Sequence, residues 1–167
     1  GLGIENTFIS ASEKTMHDRI ENQYLNRSTP TATARLIETF FENRLFASKY
    51  KKFLIRIMTE TSTGQDKLKG LLPPDCTVGH KTGSSDRTST GVKIADNDAG
   101  FVLTPDGKRY YIAVFVSDSQ EDDPTNASII ARISAIVYDF MIRPTDPNRP
   151  TLCRPESVSA DDAAGIP

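Results

Sequence analysis

Ala99-Gly100-Phe101-Val102-Leu103 and Tyr110-Tyr111-Ile112-Ala113-Val114-Phe115-Val116 flank the segment Thr104-Pro105-Asp106-Gly107, and this stretch decides the fold class. Proline presets φ early in that turn and glycine accepts the positive φ that follows, so the two apolar runs fold back on each other as a hairpin. The second run does not alternate between polar and apolar residues. A continuous apolar run of that length reads as a strand covered on both faces. Upstream, Cys76 to Ser84 is a third strand candidate, and Pro73-Pro74 forbids a helix through the link before it.

Helical patterns surround this sheet. Ser28-Thr29-Pro30 places a hydroxyl cap before a proline at the first helical position. Leu36, Ile37, Phe40, Phe41 and Leu45 then make one apolar stripe, which predicts a helix from about Pro30 to Phe46. Tyr50, Phe53, Leu54, Ile57 and Met58 fit the i, i+3, i+4, i+7, i+8 spacing and predict a second helix, with Thr63-Gly64 as its stop. Asp123-Pro124 reads as a cap and opens a third, whose stripe of Ile129, Ile130, Ile133, Ile136, Val137, Phe140 and Met141 carries it to Met141. The order is long loop, helix, helix, three antiparallel strands, helix. Helices packed on an antiparallel sheet give an α+β class rather than a doubly wound one.

The two ends of the chain lack such patterns. Residues 1–28 show almost no periodicity, and a loop that long is functional or disordered. Five of the ten prolines fall between Pro144 and Pro167, so residues 144–167 read as a disordered tail beyond a domain of residues 1–143.

The 167 residues fit one domain. A net charge of -2, from 20 basic and 22 acidic residues, excludes a basic nucleic-acid binder. Apolar residues make up 37% and there is no tryptophan, enough for a core but a lean one. No apolar run approaches the ~20 residues of a membrane span, so no membrane partner is expected. Gly1-Leu2-Gly3-Ile4-Glu5 has no starting methionine and neither part of a signal peptide, and is expected to belong to a processed or truncated chain. Cys76 and Cys153 with His17 and His80 make a structural zinc site unexpected, and no cofactor or metal is implied.

The sharpest chemical feature is His80-Lys81-Thr82-Gly83-Ser84 at a strand end. An ammonium and a hydroxyl side by side can bind a carboxylate, and the glycine lets a ligand approach the backbone. Alone, Lys-Thr-Gly is a weak match. With Ser-x-x-Lys and Ser-Asp-Asn it is the signature of class A β-lactamases and penicillin-binding proteins, and further segments resemble the same family. These are Thr61-Ser62-Thr63-Gly64 through Leu71-Leu72-Pro73, Asn97-Asp98-Ala99-Gly100 followed by Pro105-Asp106-Gly107, and Ala113-Val114-Phe115-Val116 with the isoleucine-rich last helix. The resemblance covers roughly Gly1 to Met141 and is closest to the extended-spectrum branch of class A. It implies part of a β-lactamase/transpeptidase-like α+β fold, an antiparallel sheet packed with helices.

Residue by residue, the resemblance implies a site. Residues 1–28 become the omega loop, and Glu13-Lys14-Thr15-Met16-His17 falls where the family has Glu-x-x-x-Asn. Glu13 then holds the water that hydrolyses the acyl-enzyme, a task suited to a partly buried carboxylate. His17 stands in the asparagine's place, and Ala11 and Asn26 replace an Arg–Asp ion pair, as in the extended-spectrum branch. Lys81 joins Glu13 as catalytic, and the Ser84 N–H supplies half of an oxyanion hole. Thr82, Gly83, Ser85 and His17 contact substrate. Lys67 occupies the place of an arginine that binds the substrate carboxylate, and Thr90 that of the arginine used elsewhere in class A. Without the resemblance, Glu13 is a solvated loop carboxylate, His17 a surface histidine and Lys67 a solvated helix-end lysine.

The nucleophile is the remaining question. Ser48-Lys49-Tyr50-Lys51 matches Ser-x-x-Lys but lies after the omega loop, in the wrong order, and reads as a decoy. Ser-Asp-Asn does not occur; Ser85-Asp86-Arg87 and Ser117-Asp118-Ser119 fall short. The segment therefore resembles the C-terminal portion of the enzyme, inactive when isolated. The implied activity is β-lactam hydrolysis through a serine acyl-enzyme, acting on β-lactam antibiotics in the periplasm or outside the cell, as a monomer when complete. The alternatives are an inactive remnant or interaction module, and a penicillin-binding protein fragment.

Overall fold

A computed structural model describes residues 3–42 and 47–143. Expectations for residues 144–167, for the 43–46 end of the first predicted helix and for Cys153 lie outside the described residues.

The main sheet has three antiparallel strands, β3 (Thr77–Ser84), β4 (Lys93–Leu103) and β5 (Arg109–Ser119), in that spatial order. The hairpin read from the sequence pairs Leu103 with Arg109, and Gly107 takes the expected positive φ of 83°. Before the sheet come β1 (Thr7–Phe8), α1 (Glu13–Asp18), a 3₁₀ turn (Ile20–Tyr24), β2 (Arg27–Ser28), α2 (Pro30–Glu42) and α3 (Ser48–Thr59); α4 (Asp123–Ile142) follows it.

Alternation along the strands divides the sheet into two packed faces. Val78, Val102, Tyr110, Ile112 and Val114 form a buried cluster with Leu68, Cys76 and Ile130 of α4. On the other face Phe101 and Tyr111 meet Phe41 of α2, with ring centroids 4.5 and 5.7 Å apart. The continuous apolar run of β5 thus serves both layers, as its pattern predicts. Gly100 is required by close approach: an added Cβ would stand 2.2 Å from the Gly79 carbonyl oxygen and 2.8 Å from His80 Cα.

Several boundaries differ from the sequence reading, each for a local reason. Thr29 does cap α2, accepting from the Ala32 N–H at 3.1 Å. The α4 cap is Asp122 rather than Asp123, accepting from the Thr125 N–H at 2.8 Å. Strand β4 begins six residues before Ala99, because the polar residues Lys93, Asp96 and Asp98 are buried with partners. The opening segment is not bare loop: β1 and β2 pair Thr7 with Ser28 and Phe8 with Arg27. By length and composition α4 is also long and apolar enough to cross a membrane, which corrects the reading of no such run. Its Ala127, Ile130, Ala131 and Ser134 are nevertheless buried in the protein, while Ile129, Ile133, Ile136 and Phe140 are exposed. Among the described residues the outer edge of β5 has no strand partner.

Candidate active site

The first wall of the site is the loop closed by the β1–β2 ladder. Asn26 staples it across: its Oδ1 accepts the N–H groups of Ser10 and Ala11, each at 2.9 Å, and its Nδ2 donates to the Ala11 carbonyl at 2.9 Å. Two positions read as a lost ion pair are therefore still joined, by amide bonds instead of charge. Ser12 then caps α1, accepting from the Thr15 N–H at 3.2 Å. This starts the helix at Glu13 and puts Met16 and His17 one turn further along the same side.

The second wall is the edge strand β3. Glu13, Met16, His17, Gln23 and Asn26 face Lys81, Thr82, Gly83, Ser84, Ser85, Ala95 and Asn97 across a cavity of about 560 Å³. Hydrogen-bonded and non-hydrogen-bonded pairs alternate along an antiparallel ladder. The Ser85 N–H donates to the Ala95 carbonyl at 2.9 Å, so the N–H of Ser84, one residue earlier, turns away from β4 toward the open edge. Lys81 donates its ammonium to the Thr82 carbonyl, and the Thr82 and Thr63 hydroxyls are 3.2 Å apart. An edge with a cation, a hydroxyl and an outward N–H can hold an anion and a developing oxyanion.

His17 lies between two carboxylates, with Nε2 3.4 Å from Glu13 Oε1 and Nδ1 3.4 Å from Asp86 Oδ2. The burial expected of Glu13 is absent: its side chain is 79% exposed, on a six-residue helix with no buried residue.

The structure thus brings together Glu13, His17, Lys81, Thr82, Gly83, Ser84 and Ser85. Lys67 does not line this groove. It is 8% exposed and pairs with Asp96, itself 2% exposed, in a smaller cavity that shares Ser84 with the groove. It is therefore not a solvated lysine but one member of a buried ion pair. Thr90 is exposed beside Gly91, hydrogen-bonded to Thr88 at 2.9 Å, and it is Asp96 that stands next to Lys67. Ser48 opens α3 and is not among the groove residues.

Sequence reasoning missed Asn97, Gln23 and the buried acids of β4. Asp96-Asn97-Asp98 in one strand was the available signal, since three such residues inside a ladder require partners. Asp98 accepts from His80 Nδ1 at 2.8 Å and from the Leu68 N–H at 3.1 Å, immediately behind Lys81. Among the described residues no group of three or more potential metal ligands occurs.

Residues 1–141 match the sequence pattern of the beta-lactamase enzyme family. A β-lactamase of Bacteroides uniformis is 55% identical over 141 residues, covering 84% of this chain and 48% of the relative. The extended-spectrum beta-lactamase PER-1 of Pseudomonas aeruginosa is 37% identical over 142 residues, covering 85% of this chain and 46% of the relative. A crystal structure of a class A β-lactamase from Bacteroides cellulosilyticus superposes with a TM-score of 0.80 at 58% identity, over 84% of this chain and 50% of that one. The chain spans about half the length of the relatives it matches.

Proposed function

Because the chain belongs to the beta-lactamase enzyme family, we propose that it supplies the deacylation wall and the oxyanion edge of a serine β-lactamase. The observation that carries this is the groove between Glu13 on α1 and the Lys81-Thr82-Gly83-Ser84 edge of β3. In this reading a serine from outside the segment attacks the β-lactam carbonyl. The carbonyl oxygen is held at the Ser84 N–H, and the C–N bond breaks to leave an ester on the serine, the proton lost by the serine hydroxyl ending on the departing nitrogen. Lys81 and Thr82 hold the substrate carboxylate. Water then attacks the ester while Glu13 takes its proton, and that proton returns to the serine as it leaves. No cofactor takes part, and the product is a ring-opened acid.

A penicillin-binding transpeptidase shares the Lys-Thr-Gly edge but has no use for a carboxylate opposite it. Glu13, lining the groove one helical turn from His17, favours the hydrolase. The reading also implies export to the periplasm or medium, where β-lactams act.

The test is Glu13→Gln in the natural-length protein. Acylation by a β-lactam should survive and hydrolysis of the ester should fall by about two to four orders of magnitude. Intact-mass measurement should then show a persisting adduct equal to the drug's mass. Equal loss of both steps would remove Glu13 from the deacylation role.

A further inference from the structure

Gln23 and Tyr24 are consecutive residues of the 3₁₀ turn, and each reaches a different part of the main sheet, Gln23 the segment just past β3 and Tyr24 the end of β5. Gln23 makes two bonds to one residue. Its Nε2 donates to Asp86 Oδ2 at 2.8 Å, and its Oε1 accepts the Asp86 N–H at 3.1 Å. The Tyr24 hydroxyl donates to Asp118 Oδ1 at 2.5 Å, and that bond raises the tyrosine's pKa. Asp118 holds a φ of 51°, and with Asn6 it is one of two non-glycine residues at positive φ among the described residues. A side chain kept in that region marks a position fixed by its surroundings.

Strands β3 and β5 run in the same direction on either side of β4. Asp86, just past β3, and Asp118, near the end of β5, therefore lie at one end of the sheet. The 3₁₀ turn bridges them, and it follows α1 after a single residue, Arg19. Asn26 closes the loop on itself, whereas Gln23 and Tyr24 fasten it to the sheet by hydrogen bonds, with His17 Nδ1 3.4 Å from the same Asp86 carboxylate. Glu13 is largely exposed and has His17 as its neighbour, so its distance from Lys81 and Ser84 depends on where the loop is fastened.

We propose that Tyr24, Asp118, Gln23 and Asp86 are positioning residues, a two-point tether that sets the gap between Glu13 and the Lys81–Ser84 edge. The proposal rests on the deacylation role given to Glu13. Acylation uses groups on β3 and does not feel the tether. Water attack needs Glu13 within hydrogen-bond reach of a point fixed by β3, and does feel it.

The test uses the natural-length protein with Tyr24→Phe, which deletes one exposed hydroxyl, and Asp118→Gly, which keeps the backbone conformation accessible while removing the carboxylate. Amide hydrogen exchange across residues 14–22 should quicken by about tenfold in both, as expected for loss of one charge-assisted bond. Ester hydrolysis should slow by a similar factor while acylation stays within about twofold. Unchanged exchange in either variant, or faster exchange with an unaltered ratio of acylation to hydrolysis, would overturn the proposal. Exchange needs no turnover. An unaltered protein that never hydrolyses β-lactams would therefore defeat the parent reading while the exchange still decides whether the tether holds the loop.

Discussion

Ser134 of α4 donates its hydroxyl to the Leu68 carbonyl oxygen at 2.8 Å, and neither residue has exposed surface. The N–H of the same leucine is taken by Asp98 of β4. The turn carrying Lys67 and Leu68 is thus held from a helix and a strand at once, directly behind the Lys81 edge.

Ser134→Ala should therefore destabilise the protein by about 1–3 kcal/mol, the cost of leaving a buried carbonyl without a donor. Urea unfolding measures it. A midpoint equal to wild type would mean that the carbonyl finds another partner.

Asp96→Ala should cost more, about 3–5 kcal/mol, because it strands the buried Lys67 ammonium. Replacing both members, Lys67→Met with Asp96→Leu, should recover most of that loss. A double variant no better than the single one would show that the pair, rather than the stranded charge, supplies the stability.

Two glycines should separate folding from binding. Gly100→Ala drives a methyl group into the β3 backbone and should cost at least ~1–3 kcal/mol. Gly83→Ala meets nothing within 4 Å and should leave the melting temperature in place. Its methyl group would instead narrow the groove, so under the proposed function its effect should appear as weaker β-lactam binding by the natural-length protein.

Burial pushes the Cys76 thiol up, opposed by a hydrogen bond with Tyr138 and aided by Asp75. Less thiolate forms at pH 8 than in an exposed cysteine, so alkylation should be slow in the folded state and at least about tenfold faster in urea. A Cys153→Ser background leaves Cys76 as the single reporter. Equal rates in both states would place the thiol at the surface.

Lys108 and Thr104 together hold the Asp106 carboxyl down to about 2. A depressed carboxylate adds stability above its unfolded pKa near 3.8, and this is lost as pH falls through about 2. The stability gap between wild type and Asp106→Asn should thus be constant near neutrality and close between pH ~4 and ~2. A gap that persists at pH 2 would assign it to hydrogen-bond geometry instead of charge.

How much of this could be read from the sequence depended on whether a residue's partners were local. Thr29-Pro30 and the turn at Pro105-Asp106-Gly107 carry their own geometry, and the structure keeps both. The Glu13 and Lys81–Ser85 walls were legible through family resemblance, because short motifs name residues even when spacing says little. Strand β4 was half hidden. Lys93, Asp96 and Asp98 look like solvent-facing residues until Asp123, Lys67 and His80 are seen beside them. The loop of residues 9–26 was hidden for a related reason: Asn26 holds Ala11 across fifteen positions, which leaves no periodic trace. The burial of Lys67 was not legible because its ion-pair partner, Asp96, is 29 residues away.

The staple across that loop joins amide to amide, with the Met16 thioether as a further acceptor at 3.3 Å. None of these groups carries charge, so brine and dilute buffer should find the loop equally closed, where an ion pair would loosen as ionic strength rose. The exposure of such a fastening is to age instead. Deamidation of Asn26 would exchange the N–H facing the Ala11 carbonyl for an oxygen lone pair, opening by slow chemistry a closure that salt leaves alone.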